Sequence, residues 1–483
     1  MSLAELLNGL PDVAVHTLRA DVSRHELATS ADQLGALLAE AGLHTGQVVA
    51  AMLPNDATTI AALFGTWRAG AVYTPLNPRA ADAEIVTQIA ALRPAAVITT
   101  PQLAQRFSSF HLPIITGEAL TWAAVGSSHQ PDDARSYEDD VALLQFTSGT
   151  TGPPKPVPLR HSTVLDLIDR LLEKLRGTKP AGSKPKRSPM PNLVPLSLSL
   201  WAGIYQVLFA FRAGSGVVLM DRFSATEFAA LVKRHQLRST VLPPAALTMV
   251  LHDDSVTDLS PLKIVRSITA PLSPVQAGRF RDKFGVVVLN SYGQTELGGE
   301  VVGWSAADAR DWGETKLGSV GRPLPGIDVT IAEDEVMVRT PTTAARKIDP
   351  AFLDRLTDDG WFHTGDLGWF DDDGFLWLDG RVSDMINRGG LKVFPGTVED
   401  VLLSADGVRE AAVVGIADER LGEVPWAFVA RSDREVSEDM LIAWCRERLT
   451  PYRVPARIVF VDQLPRNDVG KVVKRELAQL ARP

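Results

Sequence analysis

Short apolar runs alternate with helix-spaced segments through the N-terminal part of this chain, and that order leaves few folds open. Leu34, Leu37, Leu38 and Ala41 recur at helical spacing within residues 30–41. Residues 48–53 form an apolar run stopped by Pro54 and Asn55, as a buried strand would be. A helix is predicted over 58–68, a strand over 71–74 closed by Pro75, a helix over 84–92 and a strand over 96–99. Strands that alternate with helices pack as parallel sheets covered on their faces, which places the chain in the α/β class.

The pattern resumes with an amphipathic helix over 164–175, a loop rich in Gly, Pro, Ser and Lys over 177–191, and strands at 217–220, 239–242, 264–268 and 286–289. From about residue 315 the turns crowd together (Pro323, Pro325-Gly326, residues 358–360 and 371–374), which predicts antiparallel strands in a small β-barrel-like unit. A boundary falls near Gly380. Beyond it, strands at 410–416, 426–430 and 457–461 mix with helices at 397–403 and 437–449, as in a small α+β domain. At roughly 100–200 residues per domain, a chain of 483 residues has room for several packed units.

Composition excludes several classes. The formal charge is −9, from 49 basic and 58 acidic residues, so the chain is a poor ligand for nucleic acid, which needs clustered Lys and Arg. The basic loop Lys179 to Arg187 reads first as a surface loop, and second as a contact for a carrier protein or anionic lipid. Cys445 is the single cysteine, so no internal disulfide can form, and a reducing cytoplasm fits. The first residues lack the basic start and apolar run of a signal peptide. No apolar stretch nears the length of a membrane span.

The strongest local signal follows a predicted strand at 141–146. It runs Thr147, Ser148, Gly149, Thr150, Thr151, Gly152, two prolines and Lys155. The glycines let backbone come close to a ligand; hydroxyls, N–H groups and the Lys ammonium can all serve phosphate oxygens. An ordinary Ser/Thr/Gly turn has the same letters at lower density. The segment is no G-x-x-x-x-G-K-[ST] loop, and no HExxH, GxSxG or metal-spaced Cys/His cluster occurs.

These residues resemble the phosphate-loop signature of the adenylate-forming superfamily, which holds acyl-CoA synthetases, nonribosomal-peptide adenylation domains and luciferases. Four further segments match in family order. Asn290, Ser291, Tyr292, Gly293, then Gln294, Thr295 and Glu296 resemble the family's N-x-Y-G-x-T-E. The resemblance implies that Tyr292 stacks on adenine, Asn290 meets its amino edge, Thr295 holds the α-phosphate and Glu296 ligates Mg²⁺. Ala270 and Pro271, in a small-residue segment from Thr269 to Ser273, would flank the adenine. Asp366, in Gly360 to Leu367, would clasp the ribose hydroxyls. Arg381 would reach the ribose from a hinge over 380–384, before Gly389 and Gly390, which would line a pantetheine channel. Lys471, after Gly470, matches the catalytic lysine; Lys474 and Arg475 are its decoys.

The resemblance implies an N-terminal AMP-binding region over 1–379, built of two α/β subdomains plus the small β-rich unit. It also implies a mobile α+β C-terminal domain over 385–483. The activity it implies is ATP-dependent, Mg²⁺-assisted conversion of a carboxylic acid to an acyl-adenylate, then transfer to coenzyme A. An acyl carrier protein as acceptor, and a non-catalytic nucleotide sensor, are the alternatives. The chain departs from the pattern at Pro156 and Pro158, which predict a stiff phosphate loop, and at Ser383, where many relatives carry Asp or Lys. Residues 195–201 lack the aromatic-His pair of many acyl-CoA synthetases, and also the Asp that amino-acid-activating domains use. With Trp201 at the mouth and Gly298 and Gly299 adding no side-chain volume, a bulky, mainly apolar acid is expected.

Overall fold

The Val48–Met52 strand is buried along its whole length, so its apolar residues do not alternate. In the computed structural model it lies inside a seven-stranded sheet. The spatial order is Thr121–Gly126, Pro113–Glu118, Ala96–Thr99, Val48–Met52, Val72–Pro75, Val141–Thr147, Lys155–Arg160. The five central strands make four parallel pairs and each edge adds an antiparallel strand. Residues 2–17, 20–126, 131–147, 155–176, 190–432, 434–467 and 470–481 are described. The phosphate-loop residues Ser148, Gly149, Thr150, Thr151 and Gly152, and the basic loop Lys179 to Arg187, lie outside the described residues.

The helices follow the predicted places. Ala57–Arg68 starts at Asp56, whose carboxylate accepts from the N–H of Thr58 (2.9 Å) and Thr59 (3.2 Å). It crosses Arg24–Glu40 at Gly65, where a Cβ would stand 2.8 Å from the Ala31 carbonyl oxygen, so only glycine permits that approach. Val48, Val72, Leu92, Phe107 and Leu144 are among the fully buried members of the core on one side of the sheet. Each such side chain contributes roughly 1.5–3 kcal/mol of transfer free energy.

Pro156 and Pro158 stand in a strand that begins where the phosphate-loop segment ends. Lys155–Arg160 is a strand, paired Phe146 to Pro156, Gln145 to Val157 and Leu144 to Pro158. Alternate residues of a strand point their backbone groups to opposite sides, so both prolines face away from the ladder and Val157 serves it. The hairpin Pro113–Glu118 with Thr121–Gly126 was not predicted at all. Its two-residue turn, Ala119 (φ 48°) and Leu120 (φ 64°), adopts the left-handed conformation without glycine or asparagine.

The described chain packs as two compact units. One comprises Met1–Val241, Gly293–Val301 and Ala345–Asp354; the other comprises Leu242–Tyr292, Val302–Ala344 and Arg355–Pro483. The second unit holds the parallel pair Ile264–Ser267 and Val287–Asn290. It also holds a four-stranded antiparallel sheet, Asp328–Ala332, Glu335–Arg339, Phe362–Phe370 and Leu376–Arg381. A five-stranded sheet built on Val408–Asp418 and Gly422–Arg431 follows, packed against Pro395–Leu403 and Glu438–Arg448. Among the described residues no helix is long and apolar enough to cross a membrane.

Candidate active site

Parallel strands leave ligand-facing groups at their carboxyl ends. In the second unit, Ile264–Ser267 and Val287–Asn290 end side by side, with Ser267 paired to Asn290. Thr269, just beyond, has φ 77°, a costly conformation for a β-branched residue and one that functional turns retain. Ala270 is half-buried and Pro271 exposed in the same bend. Asn290 is buried, and its Nδ2 donates to the carbonyls of Leu272 and Gly318, both at 3.3 Å. Its Oδ1 has no partner among the described residues. Neither have the buried hydroxyl oxygens of Ser267, Thr269 and Ser291. Buried polar atoms without partners are expensive. Four of them at one strand end fit a nucleobase, which offers both donors and acceptors.

Tyr292 follows directly. Its hydroxyl donates to Asp366 Oδ2 at 2.7 Å, and Arg381 Nε meets Asp366 Oδ1 at 2.9 Å. Burial, and then the Asp366 charge, push the Tyr292 phenol well above its ordinary value, so it stays a donor. Asp366 is buried and fixed at both oxygens, yet each carboxylate oxygen has a second lone pair. A carboxylate is an acceptor at both oxygens, the chemistry that a ribose diol calls for.

Lys471 is exposed on a turn that its own backbone ties down. Lys471 N–H donates to Asn467 Oδ1 (2.9 Å), Asn467 N–H to the Lys471 carbonyl (2.9 Å), and Arg466 Nη1 to the Gly470 carbonyl (2.7 Å). Gly470 (φ 76°) sits against Ala245, at the start of the Pro244–Leu251 helix. Lys474 Nζ pairs with Glu399 Oε1 at 3.0 Å. Gly389 (φ 61°) and Gly390 (φ 88°) form the two-residue turn between Ile386–Arg388 and Leu391–Val393. Backbone geometry alone thus accounts for that glycine pair. Ser383 is exposed and bonds to Asp384 at 3.2 Å.

The first unit carries the remaining candidates. The ladder of Val141–Thr147 with Lys155–Arg160 ends at the pair Thr147 and Lys155. A short 3-10 turn, Thr295–Leu297, packs beside the second of these strands and presents half-buried Thr295 and Glu296. A carboxylate there suits a hard cation that takes its other oxygens from phosphate. Gly293 is exposed, but a Cβ on it would overlap the Gly299 carbonyl, so this glycine also has a packing reason.

Gly298 and Gly299, expected beside the acid pocket, have close neighbours on the side where a Cβ would stand. A Cβ on Gly299 would stand 2.9 Å from the Tyr205 ring, and one on Gly298 would stand 3.0 Å from Thr163 Cγ2. Tyr205 in turn meets Trp201 edge-on, centroids 5.6 Å apart. No sequence pattern pointed to Tyr205, because its contact is made 94 residues away (299 − 205). A small apolar cavity of about 10 Å³ lies near Leu198, Ile204, Ile60 and Tyr73. Cys445 is buried, and burial pushes its thiol up to about 11, so it is no nucleophile at neutral pH.

Comparison with known proteins adds an independent line. The family model "AMP-binding enzyme" matches residues 9–345, and "AMP-binding enzyme C-terminal domain" matches 397–471. Oxalate–CoA ligase of Arabidopsis thaliana is 30% identical, over 92% of this chain and 90% of that protein. The 4-coumarate–CoA ligase-like 9 of Oryza sativa subsp. japonica is 30% identical, over 94% and 86%. Among solved structures, the amide bond synthetase McbA from Marinactinospora thermotolerans superposes with a TM-score of 0.85, at 27% identity and 99% coverage of both chains. The o-succinylbenzoate CoA synthetase of Bacillus subtilis, solved with its acyl-adenylate intermediate, gives 0.82 at 26% identity, covering 99% and 97%. The chain belongs to the AMP-binding enzyme family, within the adenylate-forming superfamily, and is an acyl-adenylate-forming ligase.

Proposed function

We propose that this ligase passes its acyl group to coenzyme A and that its acid is mainly apolar. The observation that carries the nucleotide half is the set of unfilled acceptors at Ser267, Thr269, Asn290 and Ser291 beside the fixed Asp366. Asn290 Oδ1 would take the adenine amino group, Tyr292 would stack on the base, and Asp366 with Arg381 would hold the ribose. Thr147 to Lys155 and Thr295 would face the phosphates. Glu296 would hold Mg²⁺, which when bound supplies the charge that a departing pyrophosphate needs.

The acid needs no general base, because a carboxylate is ionised near pH 7. Its oxygen forms a bond to the α-phosphorus as the bond to the pyrophosphate oxygen breaks. The protein's share is to position the two reactants and to set donors where charge develops. Lys471, on its tied turn, is the donor assigned to that role. The thiol for the second step must come from outside, since the one cysteine is buried and protonated. The hinge over 380–384, between an N-terminal region 1–379 and a C-terminal domain 385–483, would let Lys471 withdraw and let the Gly389–Gly390 turn approach the thiol. The apolar character of the acid rests on Trp201, on Gly298 and Gly299, and on the Tyr205 ring beside Gly299. Tyr205, rather than empty space, then sets how large the acid can be.

ATP–pyrophosphate exchange across short, aliphatic, aryl and polycyclic acids tests the first half. Exchange with an apolar acid well above exchange with acetate is expected; a clear preference for acetate overturns the apolar reading. Single turnovers of the purified adenylate with coenzyme A, a phosphopantetheinyl carrier protein or an amine then test the acceptor. A faster reaction with carrier protein or amine overturns the coenzyme A assignment.

A further inference from the structure

Asp366 sits on an irregular piece of strand. Along Phe362–Phe370, His363 pairs with Met337 and Leu367 with Glu335, so Thr364, Gly365 and Asp366 all stand opposite Val336 alone. A bulge of this kind re-aims a side chain but leaves its backbone groups without ladder partners. Here the missing partners come from two side chains. Glu335 Oε1 accepts from the Gly365 N–H at 2.8 Å, and Oε2 meets His363 Nδ1 at 2.9 Å. Arg355 donates from Nε to the His363 carbonyl (2.8 Å) and from Nη2 to the Thr364 carbonyl (2.7 Å). Thr364 Oγ1 completes the arrangement, donating to the Val336 carbonyl (2.6 Å) and accepting from the Asp366 N–H (3.1 Å). Gly365 has φ 72°, the left-handed turn that makes the bulge possible.

We infer that Glu335 and Arg355 are positioning residues that hold the 363–366 bulge so that Asp366 presents its carboxylate to the nucleotide sugar. The inference rests on the reading of Asp366 as the ribose-binding group. Neither residue is expected to touch the nucleotide. Glu335 meets the Gly365 N–H and His363, and Arg355 meets the His363 and Thr364 carbonyls with its guanidinium 4.4 Å over the Phe362 ring. A carboxylate and a guanidinium, one accepting and one donating, fix a bulge that has lost its regular ladder to Glu335–Arg339. A displacement of an ångström at a positioning group is enough to cost about a hundredfold in rate.

The test compares kcat/KM for ATP with that for 2′-deoxyATP in the parent, Asp366→Asn, Glu335→Ala, Glu335→Gln and Arg355→Lys. The ratio is taken within each preparation, so any loss of folded protein cancels. The parent should favour ATP, and Asp366→Asn should erase most of that preference. Glu335→Ala should lower the preference by about tenfold, mainly through KM for ATP. Glu335→Gln keeps an oxygen for the Gly365 N–H and should recover much of it. Arg355→Lys, which can serve one carbonyl at a time, should lower it less than Glu335→Ala. A parent that does not discriminate, or an Asp366→Asn variant that still does, refutes the ribose reading and the inference with it. Loss in Asp366→Asn with an unchanged ratio in Glu335→Ala and Arg355→Lys refutes the positioning role alone. Should Glu335→Ala yield no folded protein, the Arg355→Lys ratio decides the same question.

Discussion

The polar cluster around Asp366 in one unit and the glycine-lined cluster of the other are built by opposite rules. Around Asp366, polar side chains are tied to one another at 2.7–2.9 Å, and acceptors such as Asn290 Oδ1 stay unfilled. Around Gly299, the contacts are apolar and the space is already filled, by the Tyr205 ring with Trp201 behind it. The first cluster is specified by charge and direction and tolerates little change. The second is specified by volume, and volume can be reassigned by a single side chain. An enzyme family that meets one nucleotide and many acids can be built on that division: fixed polar geometry for the shared substrate, adjustable packing for the variable one.

The comparison breaks most visibly at Lys471. Lys471→Ala should lower adenylate formation by about 10²–10³, as loss of a transition-state donor does, and leave thioester formation from purified adenylate near the parent rate. Equal losses in both half-reactions would remove Lys471 from the polar machinery. Glu296→Gln should come next, with a raised Mg²⁺ requirement for pyrophosphate exchange and an unchanged thermal midpoint. A Mg²⁺ titration that overlays the parent's would place the cation elsewhere.

On the apolar side the effects should be smaller and selective. Tyr205→Ala removes the ring beside Gly299 and should move the optimum of kcat/KM toward longer or broader acids. It should also cost about 3–5 kcal/mol of stability, as large aromatic truncations do. Gly299→Leu should clash with Tyr205 and lower activity on every acid, whereas the double variant with Tyr205→Ala should regain activity on short ones. An unchanged acid profile in Tyr205→Ala would detach this cluster from substrate choice.

The smallest effect concerns a polar group outside both clusters. Burial raises the Asp400 carboxyl to about 6, against a hydrogen bond from Ser273 and beside the charge of Glu399. A carboxyl whose folded value exceeds its unfolded one favours the fold while protonated. That contribution is full below the unfolded range near 4 and is lost as pH rises through about 6. Asp400→Asn should therefore gain stability over the parent above pH 6, and the gain should vanish toward pH 4, read from denaturant midpoints. A constant difference across that range would refute the assignment.

What was legible followed from local pattern. Ala96–Thr99 and Arg457–Val461 fall where their apolar runs end, and the helices differ from prediction by a few residues at their ends. The 113–126 hairpin stayed hidden because Ala119 and Leu120 carry its turn, and neither residue advertises positive φ. The Lys155–Arg160 strand stayed hidden behind two prolines that an edge accepts and a central strand would not. In the site, Asn290, Tyr292, Asp366 and Arg381 were readable because each stands inside a dense motif, and the structure brings these four into one unit. Glu335, Arg355 and Tyr205 were not. Each acts on a partner distant in sequence, through a bulge or a packing contact that has no local period.

The same two prolines have a consequence for how copies of this protein meet. Among the described residues the seven-stranded sheet ends in two edge strands, and an edge strand can be a template on which another chain pairs. At Lys155–Arg160 the outward positions 156 and 158 have no hydrogen to offer, so an incoming strand would find a broken row. Pairing of another strand along that edge is thereby disfavoured by covalent structure. The opposite rim, Thr121–Gly126, has no proline, and any sheet-to-sheet growth should start there.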